Sequence, residues 1–185
     1  RKIKWWFWYV FDLLYNQAYF DDYNLDRYFI VGIKFRILDL SSIEKYDSQK
    51  MYRVYDKWPE IARESFESNH EPVDFHDIDH IVFAGMGGSG AIGDLFSSML
   101  SKSDIHVSLV KGYLLPKTVD KNTLVVTTSV SGNTSETLTV LDAAKKLDCR
   151  LIAFSSGGKM EKFCENNQII FRKIPLFHSP RTSLI

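Results

Sequence analysis

The chain is 185 residues long, 45% apolar, with 23 basic and 23 acidic residues and only two cysteines. That length suits one core of ordinary size, and the balanced charge removes the electrostatic footprint of a dedicated nucleic-acid binder. Cys149 and Cys164 form neither a C-x-x-C pair nor a disulfide framework, which fits a reducing, cytosolic setting.

The aromatic residues are unevenly placed: 13 of the 26 lie within residues 1–40. The apolar run Trp5–Phe11 is far short of the roughly 20 residues a transmembrane helix needs. It is followed by Asp21, Asp22 and Asp26 rather than by a signal-peptidase site. An interfacial aromatic anchor is a further reading of this stretch. The first methionine is Met51, and no helical or strand period runs through the segment. We therefore expect residues 1–43 to be an aromatic-rich extension outside the fold, with no membrane partner. Residues 44–78 are expected to be a helical segment and residues 79–185 the core.

From Tyr46 the pattern becomes regular. Tyr52, Tyr55, Trp58, Ala62 and Phe66 recur at helical spacing, with Pro59 marking a restart. Ile81–Ala84 reads as a buried strand ending at glycines. Ala91, Leu95 and Met99, flanked by Ile92, Phe96 and Leu100, predict one apolar helix face. His106–Val110 and Leu124–Thr128 read as strands two and three. Leu138, Leu141, Ala144 and Leu147 mark a helix, Leu151–Phe154 a fourth strand, Gly157-Gly158 the start of a short helix, and Ile169–Phe171 a fifth strand. Strands alternating with helices imply parallel crossovers: an α/β three-layer sandwich, Rossmann-like, around a mainly parallel five-stranded sheet.

In such a sheet ligands sit beyond the carboxyl ends of the strands. Two loops fall there. Gly85-Met86-Gly87-Gly88-Ser89-Gly90 matches G-x-G-x-x-G but lacks the acid that should follow at the end of the second strand, where Val110-Lys111-Gly112 stands. Lys111 leaves open an NADP reading, while the absence of a following Gly-Lys-Ser/Thr excludes a Walker loop. Ser129-Val130-Ser131-Gly132-Asn133-Thr134 places three hydroxyls around a glycine at a helix start, where free N–H groups and partial positive charge favour an anion such as a phosphate ester. Simple capping by Thr134, with Thr137 nearby, is the alternative. Glu136 in the first turn suits the helix dipole and reads as structural or orienting. His70, His76, His80, His106 and His178 lack metal-ligand spacing, with His106 at a strand and His76 and His80 on a loop, so no metal is expected.

These two loops, together with Ser155-Ser156-Gly157-Gly158-Lys159 and Ser179-Pro180-Arg181, resemble the sugar isomerase (SIS) domain family, and within it the archaeal-type bifunctional phosphoglucose/phosphomannose isomerases. The resemblance covers about Tyr46 to Leu184. It implies that Ser129, Ser131 and Thr134 hold a substrate phosphate, that Gly87, Gly88 and Ser89 line the sugar, and that Arg181 is catalytic, meeting enediolate charge. It further implies no cofactor, a sugar 6-phosphate substrate, a homodimer through SIS domains and a cytoplasmic protein. In that family the glutamate base and ring-opening histidine come from beyond the Ser-Pro-Arg motif. The chain is thus expected to be the first half of an aldose–ketose isomerase, able to bind but not to turn over. The alternative is a non-catalytic sugar-phosphate-binding module, which would need the phosphate grip but not the arginine.

Overall fold

A computed structural model describes residues 39–68 and 71–184. The aromatic segment through residue 38 lies outside the described residues, as does His70. Helix α1 spans Leu40–Tyr46. The Tyr52–Phe66 periodicity resolves into two helices, α2 (Tyr52–Asp56) and α3 (Trp58–Glu67), with Pro59 in the first turn of α3. None of the described helices is long and apolar enough to cross a membrane.

Five strands follow, β1 (His80–Gly85), β2 (His106–Val110), β3 (Thr123–Thr128), β4 (Arg150–Ser155) and β5 (Ile170–Lys173), interleaved with α4 (Gly88–Leu100), α5 (Ser135–Lys146) and α6 (Gly158–Asn167). The sheet runs β2-β1-β3-β4-β5 and every pairing is parallel. The chain leaves β1 in one direction to reach β2 and returns to β3 on the other side. Right-handed crossovers then put α4 on one face and α5 and α6 on the opposite face. The order therefore reverses between β1 and β3, and a crevice opens at their carboxyl ends.

Both faces of the central strands are covered, which is why they read as almost unbroken apolar runs. Val82, Val125 and Ala153 are fully buried against Val140, Leu141 and Ala144 of α5 and Met160 and Cys164 of α6. Each such Val or Leu contributes roughly 1.5–3 kcal/mol on burial. Burial also pushes the Cys164 thiol up to about 11, and the Cys149 thiol is raised for the same reason. Neither has the thiolate character that reactivity requires.

Helix α4 departs from the hydropathy reading. Ala91 and Leu95 face solvent, Leu95 59% exposed, while the buried positions are Gly90 and Gly93. A methyl group at Gly93 would sit 3.0 Å from Phe83 Cβ and 3.1 Å from Leu109 Cδ2, so the helix backbone itself packs on β1 and β2. Phe96 completes the contact by stacking on Phe83 with ring centroids 5.5 Å apart.

His80 is a second correction. It does not lie on a loop but opens β1, and it is buried, because parallel pairing extends to His106 on β2 and Thr123 on β3. Its Nε2 lies 2.9 Å from Ser108 Oγ, and its ring is 4.6 Å from that of His106. Burial first, and then the charge of His106, hold its pKa below the ordinary imidazole value, against the opposing pull of the Thr118 backbone, Asp79 and Asp120. The unfolded chain therefore takes up this proton more readily than the folded one. The stability it confers is complete above the ordinary pKa of about 6.5 and is lost as pH falls below it. We expect the melting temperature to decline between about pH 6.5 and 5, and the decline to be shallower in His80→Gln. Equal slopes in the two proteins would exclude His80 as the cause.

Candidate functional site

β1 and β3 pair in parallel as far as Gly85 and Thr128, so the loops that follow them leave the same edge of the sheet as neighbours. In the second, the Ser129 N–H donates to the Phe154 carbonyl at 3.0 Å, tying the loop to β4, and the Ser129 hydroxyl meets that of Thr134 at 2.9 Å. Thr134 stands at the N-cap position of α5 with extended backbone, yet its side chain caps no N–H. A capping threonine would accept from the second or third helical N–H. Here the hydroxyl turns sideways to Ser129 instead. The first intrahelical bond runs from the Leu138 N–H to the Thr134 carbonyl. The N–H groups of Ser135, Glu136 and Thr137 thus precede the helical ladder and concentrate the positive end of α5 beside the paired hydroxyls.

Thr137 adds to this. It is 1% exposed, and its Oγ1 is buried without a hydrogen-bond partner. Such an atom costs about 1–3 kcal/mol relative to a paired one. Ser131 is exposed, and its Oγ accepts the Asn133 N–H at 3.3 Å. Glu136 is half-buried and accepts from the Ser135 hydroxyl at 3.2 Å; Ser135 also lies 3.4 Å from the Tyr113 hydroxyl.

The loop after β1 carries Gly87 as the N-cap of α4, with φ +56° and open space beside it. Gly88 is exposed, and Ser89 is half-buried with a hydroxyl that has no partner among the described residues. Lys111 lies across this loop, but its ammonium pairs with Asp94 of α4 at 2.6 Å. It is therefore committed to a neighbour, and the 2′-phosphate role it would need for NADP has no separate support.

Arg181 lies in a 3-10 turn, Pro180–Ser183, closed by a reciprocal capping box between Ser179 and Thr182. Thr182 and Ser183 are buried, their hydroxyls donating to the Phe177 carbonyl at 2.8 and 3.1 Å. The Trp58 indole N–H donates to the Thr182 carbonyl at 3.2 Å, fixing the turn to α3. Leu184 then reaches the glycine loop, where a methyl on Gly88 would lie 2.6 Å from its Cδ1. The turn is thus anchored next to the first loop. Arg181 itself is exposed and makes no hydrogen bond or ion pair among the described residues. Among the described residues no hydrogen bond joins it to Ser129, Ser131 or Thr134.

The described residues contain no group of three or more His, Cys, Asp or Glu arranged to hold a metal. Sequence reasoning passed over Asn133, whose side chain joins this loop to α6. Its partner is 26 residues away, at Lys159, and no local pattern signals the pairing.

The SIS domain profile matches residues 74–174, more than half of the chain. Two curated bifunctional phosphoglucose/phosphomannose isomerases align with it. That of Caldicellulosiruptor bescii is 40% identical over 60% of this chain, and that of Aquifex aeolicus 31% identical over 74%. The chain spans 33% and 42% of the lengths of these two relatives. Among solved structures, a Listeria monocytogenes protein described as a candidate sugar-phosphate isomerase superposes with a TM-score of 0.53 at 17% identity, covering 80% of this chain and 85% of its own. That likeness speaks for the fold, while the profile match and the crevice loops carry the family: the chain belongs to the SIS domain family.

Proposed function

We propose that this chain binds a sugar 6-phosphate, with the phosphate at the start of α5 held by Ser129, Ser131 and Thr134, and the sugar along Gly87, Gly88 and Ser89. The observation that carries the reading is the uncapped first turn of α5 beside the Ser129–Thr134 hydroxyl pair. Donors that leave their own helix unserved are arranged for an acceptor from outside. The names of the curated relatives favour hexose phosphates as the class.

In this reading the chain supplies the first SIS domain, residues 79–185 behind a helical segment 44–78, of a dimeric cytoplasmic isomerase that interconverts glucose 6-phosphate or mannose 6-phosphate with fructose 6-phosphate. Arg181 is its electrophile: carried on the anchored turn beside the glycine loop, its guanidinium meets the oxyanion that develops as a proton moves between C1 and C2. Isomerisation also needs a general base at those carbons. The reading assigns none among these 185 residues, so for this chain it commits to binding alone. A protein that joins the chain to the remaining length of its relatives should interconvert these phosphates. Binding without turnover there would favour a sugar-phosphate-binding module instead.

The direct test is calorimetric titration with fructose 6-phosphate. Replacing Ser131 and Thr134 together by alanine should weaken binding by about 1–3 kcal/mol, the cost of lost hydrogen bonds to a charged group. Neither residue is buried, so the fold should persist. Unchanged affinity would refute the phosphate assignment.

A further inference from the structure

Behind the hydroxyl loop, Asn133 uses both ends of its side-chain amide. Its Nδ2 donates to the Ser131 carbonyl at 3.0 Å, and its Oδ1 accepts the Lys159 N–H at 3.2 Å. One partner is an acceptor and the other a donor, so only this orientation of the amide satisfies both. Lys159 lies in the first turn of α6, whose N-cap, Gly157, has no side chain to offer. Asn133 therefore caps α6 from another loop. The Ser131 carbonyl has no other partner among the described residues, while the neighbouring Val130 carbonyl is held by the Ser156 hydroxyl at 2.6 Å and the Gly132 carbonyl by the Met160 N–H at 2.9 Å. The Val130 and Gly132 carbonyls are thus tied to the β4–α6 turn and the first turn of α6, and at Ser131 the tie is Asn133.

Resting on the sugar-phosphate reading, we infer that Asn133 is a positioning residue: it braces Ser131 against α6 so that the Ser131 hydroxyl faces the phosphate. The two arms of the amide do different work. The Oδ1 arm serves α6, and hence stability; the Nδ2 arm serves Ser131, and hence affinity.

Asn133→Asp separates the two arms. The carboxylate keeps an acceptor for the Lys159 N–H and suits the positive end of α6, but it cannot donate to the Ser131 carbonyl. We expect a melting temperature within about 2 °C of wild type and an affinity for fructose 6-phosphate about tenfold weaker. The added charge also repels the phosphate, and salt isolates that part. Raising ionic strength from about 0.05 to 0.5 M screens repulsion, so a wild-type-to-variant affinity ratio that holds near ten supports positioning. Asn133→Ala, which loses both arms, should fall in both melting temperature and affinity. A ratio that collapses to one in salt, or an Asn133→Asp protein that binds as wild type does, overturns the inference and leaves the phosphate reading standing. Wild-type protein that binds no fructose 6-phosphate overturns both.

Discussion

Gly132→Ala should cost about 2–5 kcal/mol of stability and abolish binding of fructose 6-phosphate. Gly132 sits between Ser131 and Thr134 with φ +65°, and a methyl group there would collide with the Gly157 carbonyl oxygen and lie 2.6 Å from Ser155 Oγ. Left-handed backbone costs a residue with a Cβ roughly 1–2 kcal/mol, and forced overpacking about 1–3 kcal/mol more. Neither side of the contact has room to yield. The Gly132 N–H is held by the Ser129 carbonyl at 2.9 Å, and the Gly132 carbonyl accepts from Met160 at 2.9 Å. Opposite, the Gly157 N–H is pinned to Ser155 Oγ at 3.1 Å, on a fully buried serine. Relief therefore means separating the loop from the β4–α6 turn, which is the arrangement that sets Ser131 and Thr134. Urea denaturation should show a lower midpoint at unchanged slope. Gly112→Ala, where a methyl meets nothing within 4 Å, should stay within about 0.5 kcal/mol of wild type. Parity between the two variants would mean that the loop and the turn do not touch.

This crowding explains which parts of the molecule were legible in the sequence. The strands and the two crevice loops were readable because their causes are local: continuous apolar runs for strands covered on both faces, and glycines and hydroxyls where a chain must turn at a helix start. The motifs fell at the carboxyl ends of β1 and β3, the place where the strand order reverses. What hydropathy concealed depends on approach rather than on side-chain polarity. Gly90 and Gly93 bury the backbone of α4 while Leu95 faces out, and glycine carries no apolar signal to reveal this. His80 is drawn inside by its register with His106 and Thr123, since pairing decides burial at a strand end. Lys111 looked available until the fold placed Asp94 beside it. Thr134 stands at the N-cap position that the capping alternative assigns it, but its hydroxyl caps no N–H, because its direction depends on Ser129, across the loop.

The same distinction governs α5, where the apolar spacing gives Leu141 and Leu147 equal weight and the packing does not. Leu141 is fully buried among Val140, Ala144 and the central strands, whereas Leu147 lies past the last turn and is 51% exposed. Leu141→Ala should therefore cost about 2–5 kcal/mol, the lost transfer energy plus that of a cavity which the rigid sheet cannot fill. Leu147→Ala should cost at most about 1 kcal/mol, because half of the side chain never leaves water. The consequence for binding runs the other way from Gly132→Ala. Leu141 lies more than one and a half turns from the uncapped end of α5, and effects at that separation are close to independent. Measured well below the melting temperature of the variant, its affinity for fructose 6-phosphate should stay within about threefold of wild type. A variant that is unstable yet binds, set against Gly132→Ala, which is unstable and does not bind, separates the core that carries the helix from the turn that presents its N-terminus. If Leu141→Ala lost affinity in proportion to stability, the first turn of α5 would be set by the packing of the whole helix on the sheet rather than by its ties to Ser129 and the β4–α6 turn.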